Sequence, residues 1–173
     1  MPRSGTKGVR FILDGSALVK RYKREEGTDL LDQVFALPDA EFAVSPQGLT
    51  EVFHALHRLN KEASISDDEL RILIGTVARD IQSGQIACYP IELEDAQASL
   101  IAIRDAWQTR PLNGRADSAD CLFLGWVCAS FANGGSADDN IVVSADNTLL
   151  AVAEAIGLRT LNPNDPAALR PFD

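Results

Sequence analysis

The chain has 173 residues, 46% apolar and 24% charged, with 12 Gly and 8 Pro. At roughly 150 residues per domain these are the proportions of one globular unit, which excludes collagenous, low-complexity and disordered classes. The net charge of −9 repels polyanions as a whole, so a DNA-coating protein or a binder of anionic membranes is not expected.

Strand-like and helix-like segments alternate along the chain. Val9–Leu13 reads as a buried strand. A helix from Ser16 to about Glu26 follows, which Gly27 would end, and Thr28 is expected to cap a second helix with Leu30, Leu31, Val34 and Phe35 on one face. Glu41–Ser45 is a short strand, and Ser45-Pro46 opens a helix whose Leu49, Val52, Phe53, Leu56 and Leu59 keep the 3.6-residue period. Ser66-Asp-Asp-Glu69 has the form of a capping box ahead of Leu70, Leu73, Ile74, Val77 and Ile81, with Gly84 as the stop. Gln85–Pro90 is a third strand, Glu92–Trp107 a helix, and 110–114 a loop. The segment from Asp117 to Phe131 is helical and apolar nearly all round, as suits the centre of a domain. After a Gly-rich break, Ile141–Ser144 is a strand, Asn147–Ile156 a helix capped by Gly157, and Leu158–Leu161 a final strand. This order predicts an α/β fold: a mostly parallel central sheet of four to five strands with helices on both faces.

In an open parallel sheet, ligands bind beyond the carboxyl ends of the strands, where the strand order reverses. Carboxylates recur at those positions here. Asp14 follows the first strand, Glu51 lies early in the helix after the second, Asp117 and Asp120 begin the central helix, and Asp146 follows the fourth strand. Close carboxylates raise one another's pKa values unless cations neutralise them, and hard oxygen ligands suit Mg²⁺ or Mn²⁺. Cations bound in this way leave a nucleic-acid enzyme compatible with an acidic chain. Each residue also has a plainer reading. Asp117, Asp120 and Asp146 suit helix starts, Asp14-Gly15 suits a turn, and Glu51 suits a solvated flank. The plain readings leave unexplained why all of them fall at one rim.

Phe11-Ile-Leu-Asp14-Gly-Ser16-Ala-Leu-Val-Lys20 resembles the opening block of PIN-domain ribonucleases, and above all of the toxins of VapBC-type toxin–antitoxin pairs. Ser45-Pro-Gln-Gly-Leu-Thr-Glu51, Ala119-Asp120-Cys-Leu-Phe-Leu and Val143-Ser144-Ala-Asp146-Asn-Thr-Leu-Leu resemble the second, third and fourth blocks, in family order. The resemblance implies a three-layer α/β/α PIN-like domain over residues 9–173, and the polar residues 1–8 before it are expected to be a flexible N-terminus. It implies that Asp14, Glu51, Asp120 and Asp146 are catalytic metal ligands, with Ser16 and Ser144 supporting them. It also implies Mg²⁺- or Mn²⁺-dependent hydrolysis of RNA phosphodiester bonds, a cognate antitoxin and a homodimer.

The sequence departs from that pattern at Phe123, where relatives often carry His. Asp117 lies about one helical turn before Asp120, so either suits the ligand role, with Asp120 preferred. Asp138 and Asp139, in the Gly-rich loop, suit a solvated position better than the rim. Lys20, Arg21, Lys23 and Arg24 form a basic run after the Asp14 turn. Of these, Lys20, Arg21 and Arg24, with Arg115, are candidate RNA-phosphate contacts; a solvated face balanced by Glu25 and Glu26 is the alternative. Glu51-x-x-His54 is half of a di-iron helix motif without a second copy, which leaves His54 and His57 as surface or packing residues. Cys121 and Cys128 share one helix face and suit the core; with Cys88 they form no CxxC pair, which fits a reducing, cytoplasmic setting. No apolar run approaches the roughly 18 residues of a membrane span, and the polar N-terminus has no signal-peptide pattern.

Two other functions compete with the ribonuclease. An aspartyl phosphatase would use Asp14 as its nucleophile, but such enzymes carry a second Asp two residues on, where this chain has Ser16. A non-catalytic module would keep the PIN-like fold for binding RNA or a protein partner.

Overall fold

Five short strands, β1 (Arg10–Leu13), β2 (Glu41–Val44), β3 (Ala87–Cys88), β4 (Asn140–Val143) and β5 (Arg159–Leu161), pair in the order β3-β2-β1-β4-β5. Every pairing is parallel, and Leu13 is in register with Val44 on one side and Val143 on the other. The structure, a computed structural model, describes residues 8–100, 118–132, 140–165 and 167–168. The predicted flexible segment 1–8 lies outside it except for Gly8, as do Asp117, Arg115, Asp138, Asp139 and the 110–114 loop.

Unbroken burial along Phe11–Leu13, Phe42–Val44 and all of β4 is what a parallel sheet covered on both faces requires. Alternate side chains divide between two cores. Phe11, Leu13, Phe42, Val44, Ile141 and Val143 join the core under α1 (Gly15–Tyr22), α2 (Thr28–Phe35), α3 (Pro46–Lys61) and α4 (Asp67–Gln82). Ile12, Ala43 and Val142 join the core under α6 (Ser118–Val127) and α7 (Asn147–Ala155). Residues 93–100 form α5. The result is the expected three-layer α/β/α, PIN-like arrangement. Among the described residues no helix is long and apolar enough to cross a membrane.

Local rules account for most boundaries. Ser45 accepts a hydrogen bond from Gly48 N at 3.1 Å with Pro46 at the first helical position of α3. Ser66 and Glu69 form a complete capping box on α4, and Gly157 takes the left-handed conformation after α7. Three boundaries differ from the sequence reading. The first helix stops at Tyr22, because the chain folds back over it: Thr28 Oγ1 donates to Lys20 O and accepts from Glu25 N, while the Lys20 ammonium donates to Glu26 O. Thr28 is therefore a helical residue and not the cap; Gly27, at φ 86°, holds that position without a side-chain bond. The third strand shrinks to Ala87–Cys88, the stretch that pairs with β2. The central helix widens into a π-turn over Cys128–Ala132, and Trp126, wholly buried, donates its indole N–H to Pro90 O. All three cysteines are free, and burial pushes the Cys128 thiol pKa up.

Candidate active site

The chain runs outward from β1 through β2 to β3, then returns to the other side of β1 for β4 and β5. The strand order thus reverses between β1 and β4, and the crevice beyond their carboxyl ends is where an open α/β sheet takes its ligand. Asp14 and Ser144 are the first residues past those two strands.

Asp14 extends the sheet by one bond, donating its N–H to Val143 O at 3.0 Å. Its side chain caps α1, and one carboxylate oxygen collects three donors. Oδ2 accepts from Ser16 N at 3.3 Å, Ser16 Oγ at 2.6 Å and Ser144 Oγ at 2.9 Å. No described residue donates to the other oxygen, Oδ1. The two hydroxyls stand 3.2 Å apart, and each also accepts a backbone N–H from the turn after β4: Ala145 N to Ser16 Oγ and Asp146 N to Ser144 Oγ, both at 3.0 Å. Ser144 is fully buried. The ends of β1 and β4 are therefore tied through two hydroxyls that converge on one carboxylate.

Asp146 caps α7 with Oδ1, which accepts from Thr148 N at 2.6 Å and Leu149 N at 3.3 Å; no described residue donates to Oδ2. Glu51 sits on α3 against the Asp14–Gly15 turn. A Cβ on Gly15 would stand 2.4 Å from Glu51 Oε2 and 2.6 Å from Glu51 Cβ, so the missing side chain is what lets the carboxylate approach. Gln47, one turn earlier, donates Nε2 to Glu51 Oε1 at 3.1 Å. Asp120 is half-buried in the first turn of α6. The structure thus joins Asp14, Ser16, Ser144 and Asp146 in one hydrogen-bonded cluster with Glu51 beside it. Among the described residues no three His, Cys, Asp or Glu side chains gather tightly enough to hold one ion.

The three described basic candidates have carboxylate partners within the chain. Lys20, 5% exposed, holds Glu25 Oε1 at 2.9 Å. Arg21 reaches Asp32 at 3.4 Å and covers the Phe35 ring, and Arg24 pairs with Asp29 at 2.6 Å on the surface. Exposed pairs of this kind are weak, on the order of 0–1 kcal/mol, and exchange readily for another anion. Sequence reasoning passed over Gly15 and Gln47. Gln47 carried one signal, its i,i+4 spacing from Glu51.

The fold is a three-layer PIN-like α/β/α domain with polar groups gathered at its switch point. Particular solved structures share that fold. DNA-bound VapBC from Salmonella typhimurium has a TM-score of 0.56 at 13% identity, covering 90% of this chain and 98% of that one. FitAcB from Neisseria gonorrhoeae has a TM-score of 0.60 at 13% identity, over 88% and 97%. VapBC2 from Rickettsia felis, bound to a DNA fragment from its promoter, has a TM-score of 0.58 at 10% identity, over 88% and 98%. No family model matches the sequence, and no curated protein matches it.

Proposed function

We propose that this protein is a Mg²⁺- or Mn²⁺-dependent endoribonuclease and the toxin of a toxin–antitoxin pair. The observation that carries the reading is the presentation of Asp14. Its carboxylate is fixed at the switch point by two hydroxyls on one oxygen, and no described residue donates to the other. Mg²⁺ commonly takes only one or two carboxylates and fills its remaining positions with water. Asp14 Oδ1 and Asp146 Oδ2 are oxygens of that kind, and Glu51 and Asp120 are the further carboxylates that this reading assigns to the centre. A bound ion would supply Lewis-acid polarisation of the phosphodiester and activation of water.

The chain's own residues supply position. Ser16 and Ser144 hold the Asp14 carboxylate in one orientation, so no reorganisation is needed when substrate arrives. Gln47 holds one oxygen of Glu51, and Gly15 lets that side chain come close to the turn. The partner reading rests on the neighbours, which are VapBC and FitAcB complexes. A cognate antitoxin that covers the crevice, and a homodimer of this chain, belong to the same proposal.

Induced expression of wild type and Asp14→Asn in a bacterial host, with new RNA 5′ ends mapped across the transcriptome, tests it. Growth arrest with a narrow set of new ends, absent in the soluble variant, is the expected result. Identical RNA ends and growth in both would overturn the nuclease reading and leave a binding module.

A further inference from the structure

A cleft of about 390 Å³ opens between α1 and α3 directly from the crevice: Ser16 and Glu51 line its inner end, His54 and Arg58 its outer wall. Glu51, His54 and Arg58 follow the i, i+3, i+7 spacing that places residues on one helix face. At about 1.5 Å per residue, Arg58 stands on the order of 10 Å from Glu51 along the helix axis, the length of one or two nucleotides of single strand. The other charged groups in the cleft, Lys20 and Glu25, neutralise each other at 2.9 Å.

Arg10, Arg21, Arg24 and Arg71 each hold a carboxylate of the chain. Neither Arg58 nor Arg79 has such a partner among the described residues, although acidic residues outnumber basic ones 25 to 16, and of the two it is Arg58 that lines the cleft. A guanidinium with no carboxylate partner among the described residues, on the wall of a cleft that leads to the crevice, is placed for an anion from outside. Its planar fork suits a phosphate.

Resting on the nuclease reading above, we propose that this cleft is a subsite for single-stranded RNA beside the scissile bond, in which Arg58 and His54 bind the neighbouring backbone phosphate. Continuity with the crevice favours RNA over an acidic segment of a protein partner, because the strand must pass the Asp14–Glu51 rim to be cut.

The test uses Asp14→Asn protein, which holds the RNA intact, and a fluorescein-labelled randomised single-stranded RNA pool followed by anisotropy across a salt series. Adding Arg58→Ala is expected to weaken binding about 10-fold and to lower the slope of log K against log salt by about 0.7 to 1, the signature of one lost phosphate contact. Arg58→Lys should keep the slope, and His54→Ala should show a smaller loss, all with unchanged melting temperatures. RNA binding whose affinity and slope do not change in Arg58→Ala overturns the subsite and leaves the nuclease reading standing. If Arg58→Ala instead loses only a co-expressed antitoxin, the cleft belongs to that protein and the RNA subsite is wrong. If the Asp14→Asn protein binds no RNA and the wild type makes no Asp14-dependent cuts, both readings fall together.

Discussion

At the start of α4, Ser66 and Glu69 exchange hydrogen bonds across three residues of sequence, on the surface and within one helical turn. At the ends of β1 and β4, Ser16 and Ser144 stand 128 residues apart in sequence, and both donate to one oxygen of Asp14. Both clusters join hydroxyls to a carboxylate, and both satisfy backbone N–H groups at a helix start. They differ in what else they fix. The first stabilises only its own helix, and water can replace any of its bonds. The second ties two central strands at the point where the strand order reverses. It leaves Asp14 with one oxygen saturated and the other without a donor among the described residues, a local helix cap held in one orientation by both strands.

Substitutions can separate the two clusters. The largest effect is expected from Gly15→Ala, because its Cβ would meet Glu51 Cβ at 2.6 Å and Gly48 O at 3.1 Å and so push α1 from α3. Overpacking of this kind costs about 1–3 kcal/mol, to be read by urea denaturation, and on the proposed nuclease reading it also reduces RNA cleavage by displacing Glu51. Ser144→Ala follows closely. It removes an acceptor from Asp146 N and a donor from Asp14 in a fully buried position, a loss of about 1–3 kcal/mol. Unlike Ser66→Ala it should, on the proposed nuclease reading, lower RNA cleavage as well as stability. Ser66→Ala should cost about 1 kcal/mol through the lost cap of α4 and leave the proposed cleavage unchanged.

The smallest effect is a pH dependence. Hydrogen bonds from the Ser66 backbone and hydroxyl hold the Glu69 carboxyl below the usual glutamate range. The stability it contributes is therefore present above the ordinary glutamate pKa and is lost as pH falls through the lowered one. Glu69→Gln should flatten that acid limb of the stability curve, and a limb of unchanged slope would show that the box contributes nothing there.

The same contrast explains what the sequence discloses. The Ser66 box, Pro46 at the head of α3 and Gly157 after α7 are local patterns, and the structure has each of them where those patterns put it. The end of α1 was not legible, because the Lys20 ammonium and the Thr28 hydroxyl close the turn through backbone groups that no spacing rule marks. The apolar strands predict the parallel sheet, and the sheet topology then places Asp14 beside Ser144. That Ser16 and Ser144 share one carboxylate oxygen depends on the β1–β4 register, which periodicity does not encode. Arg58 had no signal of its own beyond sharing a helix face with Glu51; its place on the cleft wall, with no carboxylate partner among the described residues, is what singles it out.

The most direct measurement is titration calorimetry of Mn²⁺ into wild type and Asp14→Asn at equal stability. Saturable binding by the wild type, weakened at least about 10-fold when the Asp14 carboxylate is replaced by an amide, is the predicted result, since hard divalent ions select carboxylate oxygen. Superimposable isotherms for the two proteins would contradict the assignment of Asp14 as a metal ligand.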